Sequence, residues 1–231
     1  MTTLALAALA AAAPAQAATQ GLGLPSDVMR TALILTLLAV IPSLLICMTS
    51  FVRIIVVLSM IRHAFGMPET PPNAVLMSLA LFLTAFTMAP ALSAVNAQAV
   101  QPLLANRIGI EDAITKGSAP FRDFMLAQTR DQDIETIYAV AHATPPDRPE
   151  QVEILKLVPA FLLNELRVSF TIGFVILVPF LLIDLVVSAI LLSLGMMMVP
   201  PATISLPIKL LMFVLIDGWS LVLQGVLGSF K

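Results

Sequence analysis

Residues 168–208 form an apolar run whose only charge is Asp184, and near its end stand Gly195-Met196-Met197-Met198-Val199-Pro200-Pro201. The run is longer than the ~20 residues that carry a helix across the hydrocarbon of a bilayer. A single helix cannot continue through Pro200 and Pro201, which lack backbone N–H groups and clash with the preceding turn. The sequence therefore predicts two helices with a break between them, and three methionines on the break. Methionine is unbranched, flexible and polarizable, so a cluster of it can close around an irregular shape and reopen. On spacing alone two readings stand: the triplet fills a turn packed against neighbours, or it lines an apolar, deformable constriction.

Of 231 residues, 59% are hydrophobic and 11% charged, and the mean hydropathy is +0.99. Soluble domains carry about 25% charged residues, so the composition predicts an integral membrane protein. A net charge of −2 lacks the basic excess of a nucleic-acid binder. Cys47 is the only cysteine and lies in an apolar stretch. That excludes an intramolecular disulfide and disfavours thiolate chemistry. Residues 1–17, MTTLALAALAAAAPAQA, read as a secretory signal peptide, with a short apolar stretch followed by the small-x-small site Ala15-Gln16-Ala17. The n-region carries no Lys or Arg. The chain after it is expected to begin outside the cytoplasm.

The expected organisation is a first apolar helix pair over 18–95, a polar helical segment over 96–157 and a second apolar pair over 158–231 carrying the methionine loop. Four apolar stretches support it: 31–60 with Arg53 and a kink expected at Pro42, 74–95 with no charge, 159–194 with Pro179 and Asp184, and 204–227 with Pro207, Lys209 and Asp217. The fold class is all-α: about four long kinked apolar helices as two hairpins, with an amphipathic extracytoplasmic segment between them. In that segment a short helix from Glu111 to Lys116 is expected to stop at Gly117, taking the left-handed position after a helix end. Ser118 then caps a second helix through Pro120. Phe121, Phe124, Met125 and Gln128, then Ile134, Ile137, Tyr138 and Ala141, recur with the spacing of one helical face. Arg122, Asp123, Arg130, Asp131 and Asp133 fall elsewhere on the circumference, and Thr144-Pro145-Pro146-Asp147 ends the helix. The loops 61–73 and 193–203 are placed in the cytoplasm. The Lys and Arg of the polar segment oppose that placement, but segments of such length translocate largely regardless of charge.

Arg53, Asp184 and Asp217 are ionisable residues inside apolar stretches, where charge is costly and faces protein or water. On continuous helices each lies roughly 12–14 Å from the cytoplasmic end at 1.5 Å rise per residue, so the three share one layer. The expected arrangement pairs Arg53 with Asp184 or Asp217, neutralising buried charge and fixing register. One arginine does not compensate two aspartates, so the alternative is a carboxylate held neutral and linked to proton movement. His63 and His142 fall on a loop and an external helix and are expected at the surface. Asn73 is a candidate helix cap after Pro71-Pro72. Ser78, Thr84, Thr87 and Ser93 suit helix–helix contact in lipid. No HExxH, GxSxG or P-loop pattern is present, so neither an enzyme nor a cofactor is expected.

The blocks MTSFVRIIVVLSMIRHAFG (48–66), PPNAVLMSLALFLTAFTMAP (71–90), FRDFMLAQTR (121–130) and PFLLIDLVVSAILLSLGMMMVPPATISLPIKLLMFVLIDGW (179–219) resemble the FliP family of flagellar biosynthesis proteins. A close relative of that family serves virulence type III secretion. The likeness runs in order over nearly everything after about residue 30, departing at His63, Phe65 and Phe121. It implies a multi-pass subunit of the bacterial inner membrane, at the flagellar basal body. It also implies a homo-oligomeric, pentameric ring that assembles with FliQ- and FliR-like subunits and other export-apparatus membrane proteins. Such a gate passes unfolded flagellar subunits, with membrane lipid around it. The resemblance makes Met196, Met197 and Met198 a gasket around the pore, with Gly195, Pro200 and Pro201 as the helix break at the gate. It further implies kinked hairpins standing partly above the bilayer plane, in which case Arg53, Asp184 and Asp217 mark a subunit contact. An ion-coupled transporter is the rival reading, but the two halves do not match as internal repeats would. An intramembrane enzyme lacks a nucleophile–base or metal-ligand set.

Overall fold

In the computed structural model, residues 46–67, 70–146 and 148–230 are described, together with positions 31, 35, 39 and 43. Two compact units divide the chain, Met1–Leu44 and Leu45–Lys231. In the first, Thr31, Leu35, Ala39 and Ser43 are helical and exposed. The expected signal peptide at 1–17 and the expected kink at Pro42 lie outside the described residues.

The second unit is built around α1 (Phe51–Ala64), whose buried residues Ile54, Val57, Leu58 and Ile61 repeat at the spacing of one helical face. It ends at Gly66, whose φ of +76° is a left-handed conformation that glycine adopts without a Cβ penalty. Helix α2 (Asn73–Thr87) buries only Leu76, Ala80 and Leu83. It meets α3 (Ala89–Leu104) at a 64° bend. Two causes coincide there. Pro90 supplies no N–H, and the hydroxyls of Thr84 and Thr87 turn back onto the carbonyls of Ala80 and Leu83 at 2.7 and 2.8 Å. Ser78 and Ser93 likewise bond carbonyls of their own helix. The four hydroxyls expected to bridge helices thus serve their own backbone.

Helix α3 contains a π-helical stretch, Asn96–Val100. Against it lies α4 (Ile110–Gln128), which runs unbroken through Gly117, Ser118 and Pro120. The expected stop at Gly117 and cap at Ser118 are therefore corrected. Gly117 favours close approach instead, since a Cβ there would stand a tight 3.3 Å from Ala99 Cβ. The single amphipathic helix expected beyond it is two helices. Thr129 and Arg130 are extended, and α5 (Asp131–Val140) follows. Asp133, expected on the polar circumference, is buried. Asn73 does not cap its helix; Pro72 holds that position, and Asn73 Oδ1 accepts from Arg62.

Helix α6 (Ile154–Ser193) has 40 residues, about 60 Å at 1.5 Å per residue. Its N-terminal half packs with α4 and α5 around Met125, Tyr138, Val152, Leu157 and Phe161. Its C-terminal half joins α1, α2, α7 (Pro201–Leu215) and α8 (Gly218–Leu227) in a second core. There Phe65 meets Phe180 and Phe213 edge-on at 5.3 and 5.0 Å between ring centroids. Helix α7 passes through Pro207 and bends by 68° into α8 at Asp217, whose φ is +51°. Gly218 permits this bend, because a Cβ on it would overlap the Phe213 ring. The described residues contain helices and no strands. Among the described residues one helix, α6, is long and apolar enough to cross a membrane, or up to three spans if each bent pair counts as one. Of the four stretches expected from hydropathy, 159–194 falls on α6 and its cap residue Leu194, while 74–95 and 204–227 are bent at Met88 and Asp217.

The contact between α1 and α6 generates a prediction. A Cβ at Gly173 would overlap Met60 Sδ and stand 3.2 Å from Met60 Cβ. Gly173→Leu is expected to destabilise by about 1–3 kcal/mol, the usual cost of overpacking. Met60→Ala should restore part of that loss, read by thermal unfolding of the detergent-solubilised protein.

Candidate functional site

The break expected at residues 195–201 is fixed at both ends by local chemistry. The Met196 N–H donates to Leu191 O at 2.9 Å and the Gly195 N–H to Leu192 O at 3.1 Å. With Gly195 at φ +73°, this is a Schellman closure of α6. On the other side, Pro201 takes the first helical position of α7, where a missing N–H costs nothing. Thr203 Oγ1 donates to Pro200 O at 2.7 Å. Between these anchors Met196, Met197 and Met198 are 44%, 81% and 96% exposed. Met197 and Met198 have little cover from their own chain, whereas Met196 is partly covered.

At the base of this hairpin the chain holds an ion pair between its two arms. Lys209 Nζ on α7 donates to Asp184 Oδ2 on α6 at 2.6 Å and to Ala64 O at 3.1 Å. The lysine is buried and the aspartate partly exposed. Ala64 is the last residue of α1, where a cation also meets the negative end of the helix dipole. An open cleft of about 350 Å³ lies alongside, lined by Phe65, Gly66, Asp184, Pro201, Ser205 and Lys209 among others.

Arg53 sits elsewhere, in a polar hub between the two cores. Its Nε donates to Glu165 Oε2 at 2.8 Å and its Nη2 to Glu165 Oε1, a two-pronged pair in which both side chains are buried. Nη2 also reaches Gln128 Oε1 at 3.3 Å, and Nη1 donates to Ser229 O and Ser229 Oγ, each at 2.9 Å. The Phe230 ring covers the guanidinium, 4.0 Å from Cζ to the ring centroid. All five guanidinium N–H groups therefore have acceptors. Asn164 Nδ2 donates to Gln128 O at 2.7 Å, which secures the end of α4 to α6. A second pair, Arg167 to Asp133 at 2.8 Å, secures α5 to α6.

The single charged layer expected from helix depth is thus corrected. Arg53 pairs with Glu165, Asp184 pairs with Lys209, and Asp217 stands exposed at the α7–α8 bend. Counting depth from the helix ends fails because Lys209 brings Asp184 beside Ala64, at the opposite end of α1 from Arg53. The charge arithmetic that motivated a proton-linked carboxylate also changes, because Asp184 has a cation of its own. Sequence reasoning passed over Glu165, Ser229 and Phe230, and placed Gln128 on a helical face without a partner for it. The signal available for Glu165 was its charge within the third apolar stretch. His63 and His142 are both exposed, and Cys47 is partly exposed.

A profile described as the FliP family matches residues 34–226. The flagellar biosynthetic protein FliP of Pectobacterium carotovorum subsp. carotovorum is 50% identical over 201 residues, covering 87% of this chain and 78% of that protein. The protein of the same name from Bacillus subtilis (strain 168) is 45% identical over 205 residues, covering 89% of this chain and 93% of the relative. The one from Caulobacter vibrioides is 42% identical over 236 residues, covering 100% and 89%.

Two predictions follow the two ion pairs. Glu165→Gln leaves a buried guanidinium without its anion and is expected to destabilise by roughly 3–5 kcal/mol. Arg53→Met combined with Glu165→Leu should recover much of that loss, since neither charge is then stranded. Chemical unfolding followed by circular dichroism in detergent reads both. Lys209→Met is expected to cost about 1.5–3 kcal/mol, the range for hydrogen bonds to charged groups. Its effect should be strongly non-additive with Asp184→Asn in a double-mutant cycle.

Proposed function

The chain belongs to the FliP family, and from that premise we propose that it is a pore-forming subunit of a flagellar protein-export gate. As a member of that family it is a structural component and not an enzyme. The gate is a homo-oligomeric ring in the bacterial inner membrane, pentameric by the resemblance, completed by FliQ- and FliR-like subunits. Unfolded flagellar subunits pass through it. The 40-residue apolar helix α6 is compatible with membrane insertion, and the names of the relatives favour the flagellar over the virulence system.

The observation that carries this reading is the contrast between the methionine loop's anchors and its tips. Its ends are pinned by the Gly195 closure and by Pro200 and Pro201, yet Met197 and Met198 are left almost wholly exposed and Met196 partly so. Large contiguous apolar exposure marks contact surfaces. In a ring of copies the triplets meet at the axis. Thioethers, with their rotatable bonds and polarizable sulfurs, then close an apolar constriction. Such a constriction excludes ions by dewetting. The same side chains repack around a passing polypeptide without the backbone anchors having to break.

Two measurements test it. The native mass of the purified complex should correspond to a large hetero-oligomer, whereas a monomer or small homodimer would speak for a transporter. Replacing Met196, Met197 and Met198 together with alanine is expected to let small ions and metabolites leak across membranes that contain the assembled gate. An assembled triple variant that keeps the membrane tight overturns the gasket role.

A further inference from the structure

Helix α8 does not end free; it delivers Ser229 and Phe230 onto the Arg53 hub. The carbonyl and hydroxyl of Ser229 fill both Nη1 donors of Arg53, and Phe230 lies over the guanidinium face at 4.0 Å. On its other side Phe230 stacks on Phe124 of α4, at 6.3 Å between centroids and 29° between planes. Both residues are partly buried. They also border two clefts. A polar one of about 610 Å³ is lined by Arg53, Gln128, Arg130, Asn164 and Ser229 among others. A more apolar one of about 310 Å³ is lined by Pro90, Pro120, Phe124 and Phe230 among others. Without these two residues, Arg53 would keep Glu165 and Gln128 but lose two acceptors and its aromatic cover beside an open cleft.

We propose that Ser229 and Phe230 form a strap that completes the coordination of Arg53 and limits the access of solvent and reagents to the Arg53–Glu165 pair from the cleft that Arg53 borders. They are positioning residues: they act through Arg53, and they tie the helix pair that follows the methionine loop to the hub joining α1, α4 and α6. The turn into the strap is itself constrained. A Cβ on Gly228 would stand 2.7 Å from Gln224 O, a backbone atom that cannot yield without moving the last turn of α8. Gly228→Ala therefore displaces the strap while leaving both strap side chains in place. The ammonium–carboxylate pair at Lys209 and Asp184 belongs to the other end of α6 and does not enter this strap.

The experiment is labelling of the full chain, in detergent, with the arginine-selective reagent phenylglyoxal, read per residue by mass spectrometry. Arg167, whose side chain is half exposed, serves as the internal reference. In the parent chain Arg53 should be protected relative to Arg167. Phe230→Ala and Gly228→Ala should each raise Arg53 labelling at least several-fold while Arg167 is unchanged. Ser229→Ala, which keeps the carbonyl acceptor, should raise it less. If Phe230→Ala does not fold by circular dichroism, Phe230→Leu decides: it keeps apolar bulk but removes the ring face. Labelling of Arg53 above the parent in that variant supports the strap. Arg53 as protected in Gly228→Ala and in the Phe230 variant as in the parent, with helicity intact, overturns it.

Discussion

A guanidinium with under 2% of its residue exposed, held by one carboxylate, is the constraint from which the rest of this chain is arranged. A buried ion pair is weak evidence for stability, because desolvation of both ions can exceed their attraction. What it does is make geometry compulsory. Arg53 on α1 needs Glu165 on α6, Gln128 at the end of α4 and Ser229 beyond α8 in their observed places, or buried donors are left unmade. Four elements far apart in sequence therefore meet at one side chain. The apolar cores on either side of the hub, one with α4 and α5 and one with α2, α7 and α8, supply the hydrophobic contribution. Neither core, being non-directional, would fix which way those elements face.

At the far end of α6 a second polar contact does similar work at lower burial. Glu165 and Asp184 are separated along α6 by roughly 28 Å at 1.5 Å per residue, and each is paired with a cation brought from another helix. Between them the helix offers long exposed apolar surface, including Phe170, Phe174, Val178, Leu181 and Leu182. A helix held at both ends by ionic contacts can leave its middle for lipid or for another subunit without losing its place.

Much of this was legible in the residues, and the boundary is physical. The loop at 195–201 was readable because its causes are local: two prolines cannot continue a helix, and glycine alone suits the left-handed closure. The apolar stretches and the all-helical class followed from composition and length. Arg53 and Asp184 stood out as charges in apolar sequence. Their partners did not, because pairing depends on how α6 packs against α1 and α7, and Arg53 and Glu165 stand 112 residues apart in sequence. Gly117 shows the same limit at smaller scale. Its sequence context suits a helix end, but the Ala99 and Val95 side chains of α3 pass close beside it and favour a residue without a Cβ, and that packing demand is not local. Asp133 reads as a surface carboxylate until Arg167, on a different helix, is brought within 2.8 Å.

The bends also explain how a chain this apolar keeps its methionine loop apart from its own cores. An unbent α7 and α8 would carry the residues after Pro201 straight away from α1. The break at Asp217 instead returns α8 toward α1, where Val222 and Val226 join the core and Ser229 reaches Arg53. With α7 secured at Lys209 and α8 beyond the bend, the hairpin between Asp184 and Lys209 has its base fixed by polar contacts. Its tip is left to residues whose side chains deform easily. The base is thus rigid and the tip soft. That division is built from ion pairs, two prolines and one left-handed glycine, and it leaves the side chains of Met197 and Met198 almost wholly exposed.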